Sequence, residues 1–253
     1  MKEEVGRLRK RFNLDTAELD GYTLLVHGGR ASGKTYLVGD FLKTESAFGP
    51  VRFLNIVGED GNLTLRGMGL GDIGEHIESH ADFMEALKEF EAKKVHALGV
   101  DSIHALSRWI MRKVVGSDRL PEIRKESNEW GDLHHTSYNT FMAVRRAAKI
   151  IMCTCPSDKS VEQLSGKTFI TPDLPGRQAA GSAGWFDFVG YLEATNTASG
   201  VTRTFNMVPN NTIIVRQRLP KQITQSSNLP QGLGGWQIIK NSIEQGWKDN
   251  TKG

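Results

Sequence analysis

Nine consecutive residues, His27 to Thr35 (HGGRASGKT), carry the most legible chemistry of this chain: Gly28, Gly33, Lys34 and Thr35 fill the pattern G-x-x-x-x-G-K-[ST] without a gap. Glycines at those points let successive backbone N–H groups curl around an anion, and a helix starting near Gly33 turns its positive dipole end toward the same place. The lysine of such a loop reaches the β and γ oxygens of a nucleotide, and the threonine hydroxyl is a ligand for Mg²⁺. Gly28, Gly29, Arg30, Ala31, Ser32, Gly33, Lys34 and Thr35 are therefore expected to bind ATP, with Lys34 acting on the phosphates and Thr35 on the metal.

A magnesium ion held there needs an acidic partner from a nearby strand. VHALGVDS ends an apolar run at Asp101, in the manner of a Walker B strand. An aspartate in that place is also a common helix cap, so it is the pairing with the glycine loop that points to metal. Hydrolysis further needs a group to orient water. VRFLNIV leads into GEDGN, which puts Glu59 and Asp60 at the carboxyl end of a strand, the edge where ligands of parallel sheets bind. Glu59 is the expected catalytic carboxylate, with Asp60 as its alternative.

These groups require strands to carry them and helices to cover the strands. Apolar runs at 22–28, 51–57, 95–101 and 149–155 alternate with helical patterns at about 34–43, 79–92 and 130–147, the βα alternation of a mostly parallel sheet with helices on both faces. Ser79, with Asp82 three residues on, opens the middle helix and sets Phe83, Leu87 and Phe90 on one side. Beyond residue 180, the runs 185–195, 202–209 and 211–218 suggest antiparallel strands added at an edge, while 156–184 and 220–235 are rich in turn residues and predict loops. The expected division is an N-terminal basic helix or arm at 1–20, a core at 21–222, and a C-terminal loop and tail helix at 223–253 around Trp236 and Trp247.

A chain of 253 residues suits one α/β domain. Its net charge of +3 leans basic without marking a nucleic-acid binder, and the charged N-terminus and lack of a long apolar run predict a soluble, cytoplasmic protein with no membrane contact. Cys153 and Cys155 read as small apolar filler of a buried strand. His76 and His80 have the i, i+4 spacing of a helical metal pair, but Gly69, Gly71 and Gly74 upstream favour a loop. Trp109 and Trp130 are expected to pack in the core or at its edges.

With the loop, Glu59 and Asp101 in this order, the chain resembles the RecA/RadA-like P-loop ATPases, and in particular the phage-encoded RecA-like proteins of single-strand annealing and recombination, over about residues 20 to 220. The resemblance implies a RecA-like α/β core, ATP hydrolysis with Mg²⁺, and assembly as a ring or filament with ATP at subunit interfaces, on single-stranded DNA and alongside a single-strand-binding protein. It also implies that Arg216 and Arg218 of TIIVRQRLP, two apart on a late strand and so on one face, reach the γ-phosphate held by the neighbouring copy. Asp187 of the segment before that strand is read as structural. The end of KIIMCTC, near Thr154 or Cys155, departs from the polar sensor that RecA carries there. Two segments would face DNA: 112–125, with Arg112, Lys113, Arg119, Arg124 and Lys125, and 156–178, with Lys159, Lys167, Phe169 and Arg177. Cations beside a stackable aromatic suit sequence-tolerant strand binding, although acidic residues interleave with them. A helicase or packaging motor on the same core is one alternative; a nucleotide kinase and a nucleotide-gated binding module are others.

Overall fold

The computed structural model describes residues 21–56, 61–117, 128–161, 166–176, 178–181, 184–198, 200–219 and 221–248. The expected arm at 1–20, Glu59, Asp60, Arg119, Arg124, Lys125 and Arg177 lie outside the described residues.

Among the described residues a mixed ten-stranded sheet forms the centre. Its main path runs β10 (Ser227–Leu229), β8 (Gly200–Asn206), β7 (Phe188–Thr197), β1 (Tyr22–Gly28), β5 (Ala148–Val161), β4 (Val95–Asp101), β2 (Val51–Ile56), β3 (Gly74–Ile77), with β6 (Thr168–Pro172) on β5 and β9 (Arg216–Gln217) on β7. From β7 to β3 the pairs are parallel. The run of apolar residues in each central strand is explained by burial on both faces. One face is covered by α3 (His80–Lys93), α4 (Ile103–Val115) and α5 (Glu129–Ala147), which bring Phe83, Phe90, Ile110 and Phe141 onto Leu25, Leu98 and Ile151. On the other, α1 (Lys34–Glu45) and α7 (Gly235–Lys248) pack Phe41, Leu42 and Trp236 onto Leu24, Val26 and Met152. Ser79 caps α3 as expected, its hydroxyl accepting the Asp82 N–H.

Four expectations change. β7 does not add antiparallel at an edge: it lies parallel beside β1, because the chain returns to the sheet's amino edge, where the Asp187 N–H donates to the Thr23 carbonyl, before the strand begins. Residues 156–184 are not all loop. β5 continues to Val161 and pairs antiparallel with β6, whose β-branched Thr168, Ile170 and Thr171 suit a strand. Of 211–218, only Arg216–Gln217 forms a strand, since the Asn210 carboxamide accepts the Thr212 and Ile213 N–H groups and bends the chain there. Finally, the glycine-rich stretch before His76 feeds β3; His76 lies on a strand and His80 opens α3, so the two do not share a helix. Among the described residues no cluster of three or more His, Cys, Asp or Glu is arranged to hold a metal.

Candidate nucleotide site

β1 ends at Gly28, and the loop that follows delivers the chain into α1 at Lys34. Gly33, at the entry to α1, has φ 96°, a conformation that favours glycine, and a Cβ there would stand 2.6 Å from the Arg203 Nε, which would have to shift. Lys34 Nζ donates to the carbonyls of Gly28 (3.0 Å) and Gly29 (2.8 Å), which holds the ammonium across the mouth of the loop.

Asp101 stands where the sequence places it, at the end of β4, with β5 as the one strand between it and β1. Its carboxylate is buried, and both oxygens are engaged: Thr35 Oγ1 donates to Oδ2 at 2.6 Å, and the Thr154 hydroxyl donates to Oδ1. Ser102, not Asp101, caps the following helix by accepting the Ala105 N–H, which leaves the carboxylate to the site. Gly61, the first residue of α2 (Gly61–Gly67), lies so close that a Cβ would stand 2.9 Å from Asp101 Oδ2 and 3.1 Å from Asn55 Oδ1. Ile56 and Gly61 bracket the segment that contains Glu59.

His27, just before the loop, is fully buried. Burial lowers its pKa from the ordinary histidine value to about 4, so the ring is neutral: Nε2–H donates to the Ile214 carbonyl (2.7 Å), and Nδ1 accepts from the Ser157 hydroxyl (2.9 Å). One ring thus ties the root of the loop to β5 and to the segment before β9. Burial pushes the Cys153 thiol well up, as befits apolar filler.

A cavity of about 970 Å³ opens from Lys34 and Thr35 across Asp101 to Arg108, Trp109 and Arg112 on α4. That is larger than one triphosphate group needs, and its far wall is basic.

A family model described as AAA domain (AAA_24) matches residues 20–219. The chain belongs to that family. Among solved structures, this AAA-domain chain is similar to a KaiC-like protein of the hyperthermophilic archaeon Pyrococcus horikoshii OT3, at a TM-score of 0.52 and 15% identity, covering 86% of this chain and 88% of that one. At that identity the likeness shows the shared RecA-like fold. A search of curated proteins finds no match. Family and fold together make this a member of the nucleotide-binding P-loop ATPases.

The remaining expected residues of the AAA-domain chain lie apart from the loop. Arg218 is not a free cation: its guanidinium pairs with Asp187 (3.4 Å) and donates to the Gly184 carbonyl (3.2 Å). Arg216 lies in the same group, where burial first and Arg218 second lower its pKa. Asp187 is structural, as expected: it is buried, accepts from Thr23 N–H and hydroxyl, and is paired with Arg145 at 2.9 Å. This cluster borders the amino end of β1, the opposite end from the loop. In the β5–β6 hairpin, Lys159 faces Ile170 and Ser160 faces Phe169, so Lys159 and Phe169 project from opposite sides and do not form a single cation-plus-aromatic surface. Lys167 is exposed at its turn, and Arg112 and Lys113 lie on the last turn of α4.

Sequence reasoning missed Arg203, whose Nε donates to the Ser32 carbonyl at 3.1 Å, and Arg108 on the cavity wall. The helical spacing of His104, Arg108 and Arg112 was the available signal for the second. For Arg203, 171 residues from its partner, there was none.

Proposed function

We propose that this chain hydrolyses Mg·ATP as a head-to-tail oligomer assembled on single-stranded DNA, in recombination or annealing. The observation that carries the nucleotide part is the convergence of Thr35 and Asp101, from a helix and a strand two positions away in the sheet, at 2.6 Å. Two hard oxygen donors so close fit Mg²⁺, which Thr35 and Asp101 would hold and which would offset the charge of the phosphates. Lys34 exchanges its hydrogen bonds to Gly28 and Gly29 for phosphate oxygens. Thr154 keeps Asp101 turned toward Thr35. Glu59 orients the attacking water.

The oligomer reading rests on where the arginines lie. Arg218 is paired with Asp187 near the amino end of β1, away from its own loop, so a role in turnover calls for a second copy whose carboxyl edge meets this amino edge, a contact that repeats as a ring or filament. The β5–β6 hairpin, through Lys159 and Lys167, is the proposed contact with DNA, and a single-strand-binding protein the proposed accessory partner.

The test is ATP hydrolysis with and without an oligothymidylate, with particle mass followed by light scattering. DNA-stimulated turnover in the parent, lost in Arg216→Ala with ATP binding intact, supports the proposal. The basic far wall of the cavity favours a second reading, phosphoryl transfer to a phosphate-bearing acceptor; turnover that needs a nucleoside monophosphate and ignores DNA would establish that instead.

A further inference from the structure

We propose that Arg203 is a nucleoside-recognition residue, which contacts the sugar and base of the bound nucleotide and not its phosphate chain. The inference rests on the nucleotide reading of the loop and extends it to a strand that the loop motif does not include.

Three observations lead there. First, Thr35 and Asp101, the residues that would hold a metal, meet on the β4 side of the loop, so the phosphates it would neutralise belong on that side. The nucleoside end of such a ligand would then lie over the start of α1 in the other direction, toward β7 and β8. Second, β7 pairs with β1 as far as Leu192 opposite Gly28 and then continues through Thr197, so its last residues and the facing part of β8 overhang the loop on that side. Third, the overhang presents a guanidinium. Arg203, opposite Ala194, reaches back to donate Nε–H to the Ser32 carbonyl and lies directly over Gly33.

That single bond sets the plane of the group and leaves its two terminal amino groups without a partner among the described residues. Glu193, next to Ala194 on β7, projects from the other face of the sheet. A planar cation, half-buried and held by one nitrogen, is suited to stacking on a base and to hydrogen bonding with ring or sugar acceptors. Lys34 already supplies the cation for the phosphates.

The experiment is titration calorimetry of Mg·ATP, Mg·ADP and magnesium tripolyphosphate against the parent, Arg203→Ala and Arg203→Lys, with thermal midpoints to confirm that each folds. Arg203→Lys keeps the aliphatic stem over Gly33 and the charge, and so retains a folded test if the alanine variant is unstable. The expected result is ATP and ADP binding weakened about tenfold in both variants, with tripolyphosphate unchanged. Equal weakening of tripolyphosphate would make Arg203 a brace of the loop and overturn the proposal, as would ATP affinity equal to the parent's. A parent that binds neither ATP nor tripolyphosphate would instead overturn the nucleotide site itself, and this inference with it.

Discussion

Thr154 is the smallest group on which the site depends. Its buried hydroxyl donates to one oxygen of Asp101, so the other is left facing Thr35. Thr154→Val keeps the volume and removes the donor; turnover should fall about tenfold and unfolding free energy by about 1–3 kcal/mol, read from steady-state hydrolysis and urea melts. Gly61→Ala, which forces a methyl group against Asp101, should depress Mg²⁺-dependent ATP binding while leaving Mg²⁺-free binding near the parent value, a split that calorimetry resolves. His27 gives a pH signature. The folded chain resists protonating it until about pH 4, whereas the unfolded chain takes the proton near pH 6.5. Stability is therefore full above about pH 6.5, falls as pH drops toward 4, and loses about 3 kcal/mol in total. In His27→Gln this part of the pH dependence should vanish from the urea midpoints. Lys34 and Thr35 were legible from the gapless glycine motif, and Asp101 because it closes a regular apolar run, where local pattern fixes position. Thr154 and Arg203 were not, since their partners are set by strand register and by a hairpin formed far along the chain.

At the scale of elements, the tail helix is the main surprise. Trp236 is fully buried against Phe41 and Tyr22, its Nε1–H donates to Glu45 (2.8 Å), and its backbone N–H donates to Asp40 (2.7 Å). Both acids lie on α1, the helix that begins at Lys34, so α7 buttresses the nucleotide helix and belongs to the core. Lys240 and His96 also bond Glu45 and hold its carboxyl below the usual range against the opposing effect of burial. Trp236→Ala should cost about 3–5 kcal/mol, seen as a lowered thermal midpoint, with ATP affinity falling in parallel. A surface helix would tolerate the change. The amphipathic pattern around the two tryptophans was readable, but not its docking surface, because Asp40 and Glu45 look like ordinary solvated positions of a helix until α7 is brought onto them. Likewise the parallel setting of β7 follows from a return of the chain that no local residue announces.

For the molecule as a whole, the βα alternation and the order of loop, Walker B strand and later strands were enough to give the RecA-like core, which the family match and the shared fold bear out. What lies between molecules is a matter of surfaces, and there the sequence spacing of Arg216 and Arg218 hid the intrachain pairing of Arg218 with Asp187. If a neighbour's phosphates draw these arginines away, Arg216→Ala should reduce turnover most at protein concentrations where the oligomer forms and little where it is dissociated, which a concentration series of hydrolysis rates would reveal. No described helix is long and apolar enough to cross a membrane. The central claim, a triphosphate gripped by the glycine loop with its metal between Thr35 and Asp101, is tested most directly by ATP hydrolysis in Mg²⁺ by the parent and by Asp101→Asn, which keeps the shape and removes the charge. The account predicts turnover in the parent and at least a hundredfold loss, about 2.7 kcal/mol, in the variant; equal turnover in the two proteins would contradict it.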